Sequence, residues 1–307
     1  MKKAIVTLAI GTKYENAFNA YSRHSWQTYC EKFGYDLIVI KEALDETDRA
    51  TKRSPAWQKL LILSQEWAQK YDRIAWLDSD IIINNYQATD ICEGIPVHKI
   101  GAVDTYAIPT RELHDIALQS LQKYWEENNC PYVDALNPSE YYTKRGIPGH
   151  DLDAVVQTGV IVCSPKHHRN VFELVYRSYE DSHGAEWNYE MPALSYELLR
   201  SDLVHWLSPR YNFCVAMLLS AFYPEAQRTL SQRPTVLTRI TAKLAPSRID
   251  QVSPKLLQAL KNIYDLSIFM HFAGCASLIA LVKRALERSR PPQVGLANPG
   301  PGPTLRG

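Results

Sequence analysis

Over the first hundred residues the hydrophobic positions switch between two patterns. Ala4–Ile10 is an almost unbroken apolar run, the pattern of a strand buried on both faces. Asn16–Phe33 carries apolar residues at helical spacing, and Gly34 follows as a helix stop. Asp36–Ile40 predicts the next strand. Ser54-Pro55 has the residue types of a helix start, serine as cap and proline in the first turn. Trp57, Leu60, Leu61, Trp67 and Ala68 then share one face. Arg73–Leu77 predicts a short strand that ends at Asp78-Ser79-Asp80, with Ile81–Ile83 continuing it after a bend.

The middle of the chain is less regular. Residues 134–153 hold Pro138, Gly146, Pro148 and Gly149 and read as a long loop. Ala154–Ser164 is one strand, or two short ones around Gln157-Thr158-Gly159. Asn170–Tyr179 and Ala193–Arg200 have helical spacing. Residues 224–254 show no period. Ile268–Gly274 is a short apolar segment that ends in a loop. From about residue 289 to 307 the chain is rich in Pro and Gly and is expected to be a disordered tail.

Repeated strand–helix–strand units predict an α/β fold: a mostly parallel central sheet with helices on both faces. The folded part is expected to cover residues 1–288. In such sheets ligands sit beyond the carboxyl ends of the strands, which is where Asp78 and Asp80 fall. Composition narrows the partners. The 34 Lys and Arg balance 33 Asp and Glu, so no global field favours nucleic acid or an acidic membrane. No apolar run is long enough to span a membrane. The six cysteines form no CxxC pair and read as reduced thiols in a chain that is 46% hydrophobic. The start at Met1-Lys2-Lys3 runs directly into the first strand without a signal-peptide pattern, and the expected location is cytoplasmic, with peripheral membrane attachment left open.

Two aspartates at i and i+2 behind an apolar strand make a platform for a hard divalent cation. Their oxygens suit magnesium or manganese, which can bridge to a diphosphate. The alternative is a pair of solvated loop carboxylates, which describes most isolated DxD sequences. The apolar strand ahead of this pair favours the metal reading. In Phe269–Cys275, His271 is a candidate third ligand through a neutral ring nitrogen. A structural histidine among aromatic side chains is the competing reading. Gly274 would let the backbone approach a phosphate.

Taken in order, several short motifs resemble one family. Tyr29-Cys30-Glu31-Lys32-Phe33-Gly34-Tyr35-Asp36 is similar to the "YC…HGYD" segment of the galactosyl/mannosyl/xylosyltransferases of the GMA12/MNN10 type. Trp57-Gln58-Lys59-Leu60 resembles the helix ahead of their DxD, and Trp76-Leu77-Asp78-Ser79-Asp80 resembles their "W-[LM]-D-S-D". Gln157-Thr158-Gly159 stands where they carry "NTG". Glu190–Leu199 resembles "DQ-SALVYLL", and His271-Phe272-Ala273-Gly274-Cys275 resembles "HF-[AV]-G-C". The order holds over roughly residues 1–280.

The resemblance implies a GT-A (Rossmann-like) fold with a nucleotide-sugar-binding half at about 1–100 and an acceptor-binding half at about 101–288. It implies transfer of a hexose or pentose, with retention, from a nucleotide-diphosphate sugar, UDP-linked in most of the family, to a saccharide or other hydroxyl acceptor. By carry-over, Asp78, Asp80 and His271 hold Mn2+ or Mg2+. Thr7, Leu8, Ala9, Lys59, Asp78, Ser79 and Gly274 meet the donor, and Glu190 and Gln157 belong to the catalytic centre. Departures fall around the sugar pocket. Met191 replaces the family's Gln, Glu190 its Asp and Gln157 its Asn, while Ala276 and Ser277 stand where a Lys often follows. Lys283 or Arg284 is a candidate replacement for that Lys.

Other readings remain open. Glu190 also suits a helix N-cap ahead of Pro192. Asp151-Leu152-Asp153-Ala154-Val155 fits the DxDx[TV] of haloacid-dehalogenase-type phosphatases, although Gly146–His150 before it is no buried strand. A sugar-nucleotide nucleotidyltransferase would want a fuller Gly-rich loop than Gly11-Thr12-Lys13. A non-catalytic carbohydrate-binding module of the same fold would tolerate Met191. Trp125, Tyr132, Tyr141, Tyr142, Trp187 and Tyr189 are candidates for an acceptor groove or for core packing.

Overall fold

The structure is a computed structural model that describes residues 1–127, 137–180, 189–226 and 253–288. The amino-terminal part contains β1 (Lys3–Leu8), α1 (Thr12–Ala17), α2 (Arg23–Phe33), β2 (Tyr35–Ile40), α3 (Asp48–Thr51), β3 (Arg73–Leu77) and β4 (Ile81–Ile83). β5 (Ile100–Asp104), α4 (Arg111–Glu127), α5 (Pro138–Thr143), β6 (Val156–Cys163) and α6 (Pro165–Ser178) follow. The last part holds α7 (Met191–Arg200), β7 (Val204–Trp206), β8 (Phe213–Cys214), α8 (Val215–Phe222), α9 (Pro254–Leu266), β9 (Phe269–His271) and α10 (Ile279–Arg288).

Among the described residues, six strands form the main sheet in the order β2-β1-β3-β6-β5-β7. β1 pairs in parallel with β2 and β3, and β5 pairs in parallel with β7. β6 alone runs against its two neighbours. This is the expected α/β fold with a mostly parallel sheet, and one sheet runs through both halves of the chain. Side chains alternate across it, as the pleat requires. Ile5, Ala75, Leu77, Val160 and Val162 enter one hydrophobic cluster, which includes residues of α2, α4 and α8. Ala4, Val6, Ile74, Trp76, Ile161 and Cys163 enter a second cluster on the opposite face, with residues of α6 and α7. Among the described residues, no helix is long and apolar enough to cross a membrane.

Several elements depart from expectation. The helix over Asn16–Phe33 begins earlier, at Thr12, and passes through a π turn at Phe18–Ser22. It stops where expected: Gly34 adopts φ 70°, and its N–H donates to the Cys30 carbonyl. The segment capped by Ser54 winds as 3-10 turns over Pro55–Ser64 and Glu66–Lys70 rather than as an α-helix. Trp57, Gln58, Lys59, Leu60, Ile62 and Leu63 are all buried there, more than the one face an amphipathic helix would bury. The 3-10 period of three puts Trp57, Leu60 and Leu63 in line with the second cluster. In the expected loop, Asn137 caps the short helix α5 by accepting from the Glu140 N–H at 2.9 Å. Ala154–Ser164 contains one strand, not two, and the helix expected from Asn170 starts at Pro165.

The largest departure is Ile81–Ile83. It does not extend β3 but leaves the main sheet for a second one, ordered β4-β9-β8. β4 pairs antiparallel with β9, setting Ile81 opposite His271, and β8 runs parallel to β9 with Cys214 beside His271. None of the five described cysteines forms a disulfide. The expected tail and residues 227–252 lie outside the described residues.

Candidate metal centre

β3 ends at Leu77, and the chain turns through Asp78-Ser79-Asp80 into β4. The turn is pinned from both sides. The Asp78 N–H donates to the Gly159 carbonyl at 2.8 Å, continuing the ladder with β6, and the Phe272 N–H donates to the Asp80 carbonyl at 3.2 Å. The two sheets therefore meet at this turn, and β9 delivers His271 to it. Oxygens of Asp78 and Asp80 and a ring nitrogen of His271 lie within 4.8 Å of one another. His271 Nε2 stands 3.3 Å from Asp80 Oδ1 and 3.8 Å from Asp78 Oδ2. The histidine is buried while each carboxylate is about a third exposed, so the cluster has one protected wall and one open side.

The electrostatics follow from this placement. Burial opposes charge on the His271 ring, but the Asp80 and Asp78 carboxylates outweigh it and raise its pKa above the ordinary value. Burial likewise opposes ionisation of Asp80, yet His271 and the backbone hold its carboxyl below the usual range. Two carboxylates and an imidazole nitrogen form a donor set that fits a small divalent cation.

A second polar group sits against the first. Lys59 Nζ lies 2.8 Å from Glu190 Oε1, 3.2 Å from Asp78 Oδ1 and 3.2 Å from the Thr158 carbonyl. Its three hydrogens thus have three protein acceptors. Burial pulls its pKa down, but Asp78 and Glu190 more than reverse this. Thr158 donates to Glu190 Oε1 at 2.7 Å, and Trp76 Nε1 donates to Asp78 Oδ1 at 2.8 Å. Glu190 is 1% exposed, and its Oε2 has no partner among the described residues. It stands at the N-cap position of α7 but makes no side-chain cap bond. The capping role weighed for Glu190 is therefore absent; its carboxylate turns to Lys59 and Thr158 instead.

Gln157 lies on β6. Its Oε1 accepts from the Gly159 N–H at 2.5 Å and from Asn212 Nδ2 at 2.8 Å. Asn212, fully buried at the end of a 3-10 turn, contacts His271 Nδ1 through Oδ1 at 2.7 Å. Sequence reasoning missed Asn212: an Asn after Pro209 looks like an ordinary turn residue. Gly159 admits no side chain. A Cβ there would run into His271 Cε1 and come within 2.9 Å of both His271 Nδ1 and Gln157 Oε1.

The remaining candidates lie on several elements. Thr7 is buried with its hydroxyl unpartnered among the described residues, Leu8 is half-buried, and the Ala9 N–H donates to the Ile40 carbonyl at 2.8 Å. The ladder between β1 and β3 runs as far as Val6 opposite Trp76. Ser79 is half-buried between the two aspartates. Gly274 lies in the turn after β9, at φ 68°. Lys283 and Arg284 lie on α10. Tyr141 and Tyr142 are core residues, not groove residues: Tyr142 is fully buried and donates to the Ala154 carbonyl at 3.1 Å. Tyr189 is 43% exposed. The Trp125 side chain, Tyr132 and Trp187 lie outside the described residues. Asp151-Leu152-Asp153 precedes β6 instead of following a strand, so it lacks the setting a phosphatase motif needs.

No protein-family model matches the chain, and no curated protein matches it. Solved structures give likenesses at low identity. A glycosyltransferase involved in the glycosylation of the major capsid of PBCV-1 is 14% identical over 91% of this chain and 100% of its own, with a TM-score of 0.47. The galactosyltransferase LgtC, in complex with donor and acceptor sugar analogs, is 13% identical over 94% of this chain and 98% of its own, with a TM-score of 0.46. The glycosyltransferase GlyE of Streptococcus pneumoniae TIGR4 is 13% identical over 89% of this chain and 55% of its own, with a TM-score of 0.35.

Proposed function

We propose that the chain is a metal-dependent glycosyltransferase of the GMA12/MNN10 type, acting on a nucleotide-diphosphate sugar. One observation carries this reading. Asp78, Asp80 and His271 gather at the carboxyl end of a central strand, with a buried Lys59–Glu190 pair directly behind them. Solvated loop carboxylates would not need a buried histidine or a lysine with every hydrogen engaged.

In this reading Asp78, Asp80 and His271 hold Mn2+ or Mg2+, which when bound neutralises charge on the leaving diphosphate. Lys59 and Trp76 orient Asp78, so Lys59 positions ligands rather than reaching the donor itself. Glu190 is held by Lys59 and Thr158 through one oxygen. Its other oxygen is left for a sugar hydroxyl or for the positive charge that grows on the sugar ring. The ends of β1 and of the β9 turn, at Thr7–Ala9 and Gly274, flank the nucleotide. Tyr189, next to Glu190 and exposed, is the candidate contact for the acceptor. Sugar transfer with retention needs no in-line base on the acceptor, which suits a Glu190 already engaged with Lys59.

The test is a screen for nucleotide release with UDP- and GDP-sugars, in manganese and in magnesium. Metal-dependent release, abolished by chelator, is expected. Binding of a nucleotide-sugar with neither hydrolysis nor transfer would instead indicate a non-catalytic module. Proton NMR of the product reports the stereochemistry: an α-linked sugar from an α-linked donor is expected, and a β-linked product would make Glu190 a base candidate.

A further inference from the structure

Gln157 and Asn212 stand behind His271 in a chain of hydrogen bonds whose polarity is fixed at one end. A backbone N–H can only donate, so the Gln157 atom that meets the Gly159 N–H must be its carbonyl oxygen. That oxygen also faces Asn212, so Asn212 must present its NH2 group there. Its other end, toward His271, is then the carbonyl oxygen, which can only accept. His271 Nδ1 must therefore carry the hydrogen. In the neutral ring this leaves the Nε2 lone pair facing Asp78 and Asp80.

We infer that Asn212 is a positioning residue for the metal centre, and that with Gln157 it locks His271 in the tautomer that can ligate a cation. The inference rests on the metal reading of Asp78, Asp80 and His271. A ligating histidine typically gives its second N–H to an oxygen, and loss of such a partner typically weakens metal binding about 10–100-fold. Here that oxygen belongs to an amide, and amides can flip. Gln157 and the Gly159 N–H supply the direction that a lone Asn would lack. The ring is confined from the other side by Gly159, which has no room for a Cβ. Asn212 is itself held firmly. The preceding 3-10 turn is tied to the chain before β9, through Arg210 Nε to the Leu266 carbonyl at 2.7 Å and the Ile268 N–H to the Arg210 carbonyl at 2.9 Å.

Two measurements on the full chain test this. Mn2+ affinity is followed by electron paramagnetic resonance for the unaltered protein, Asn212→Leu, Asn212→Asp and Gln157→Leu. Asn212→Leu should weaken binding about 10–100-fold. Asn212→Asp should lose less than Asn212→Leu, because a carboxylate still accepts from Nδ1 although it sets an oxygen against Gln157 Oε1. Gln157→Leu should fall between them, because the amide at 212 is then free to turn. Independently, nitrogen-15 NMR of the metal-free protein, at a pH where the ring is neutral, should show the Nδ1–H tautomer in the unaltered chain and a mixture in Gln157→Leu. Unchanged Mn2+ affinity in Asn212→Leu, or an Nε2–H tautomer in the unaltered chain, would overturn the inference. If the unaltered chain binds no Mn2+, the metal reading fails, while the tautomer measurement still decides the arrangement of the hydrogen bonds.

Discussion

At residue scale, the site is defined by how buried charges are paid for. Lys59 and Glu190 are both inaccessible to water and meet at 2.8 Å, with Thr158 and Asp78 completing the network. Removing one partner of a buried pair leaves the other uncompensated, which costs about 3–5 kcal/mol. Lys59→Met should therefore lose about that much stability in chemical denaturation. The double change Lys59→Met with Glu190→Gln should recover part of it, because neither member of the pair is then left charged without the other. Glu190→Gln alone should lower turnover by an order of magnitude or more while leaving Mn2+ affinity close to normal; unaltered turnover would leave Glu190 a purely structural role. Gly159→Ala forces a methyl group into the His271 ring. Overpacking of this kind costs about 1–3 kcal/mol, and Mn2+ affinity should drop along with melting temperature.

The same residues set a pH dependence. A cation taken up at the proposed centre would have to compete with a proton for His271, whose pKa is raised by Asp80 and Asp78. Mn2+ affinity should therefore climb with pH and keep climbing above about 6.5, the ordinary histidine value. In the metal-free chain the signs differ for the two partners. The raised His271 contributes stability that is fully present below the ordinary histidine pKa and is lost as pH rises through its folded value. The lowered Asp80 contributes stability that is present above the ordinary carboxylate pKa and is lost as pH falls through its folded value. The rise in melting temperature on adding Mn2+ should accordingly be larger at about pH 8 than at about pH 6, and a rise independent of pH would remove His271 from the ligand set.

At the scale of elements, β3 and its acidic turn were legible because a short apolar run stopped abruptly at two carboxylates. Gly34 was legible for a similar reason: a helix that stops needs a residue tolerant of the left-handed region. The second sheet was not legible. Ile81–Ile83 is as apolar as β3, and nothing local says that it changes sheets. Its partner, Phe269–His271, lies near the other end of the described chain and is only three residues long. The 3-10 winding of Pro55–Ser64 was hidden as well, since its apolar residues satisfy helical spacing well enough. Trp26 shows how the second sheet is anchored. Its ring is fully buried, edge-on to Phe18, and its Nε1 donates to the Ile81 carbonyl at 2.9 Å. Trp26→Phe leaves that carbonyl unsatisfied, a loss of about 1–3 kcal/mol. Because β4 connects directly to Asp80, Mn2+ affinity should fall too; an unchanged affinity would separate the anchoring of β4 from the centre.

At the scale of the whole molecule, the centre exists only where two sheets meet. The main sheet supplies Asp78 and, through β6, Gln157 and Gly159. The second sheet supplies His271 and, through the turn before β8, Asn212. β6, from beyond residue 100, is the strand that lies beside β3. Of the residues the motifs named, Asp78, Asp80 and His271 bring their ligand atoms within 4.8 Å of one another. The motifs did not point to Asn212, which meets the second nitrogen of His271 only in the folded chain. The most direct test of the account is calorimetric titration of UDP into the full chain, with Mn2+ and with excess chelator, repeated for Asp80→Asn. UDP binding should require Mn2+ and disappear in Asp80→Asn; equal binding in chelator, or in the variant, would contradict a metal-held diphosphate at Asp78 and Asp80.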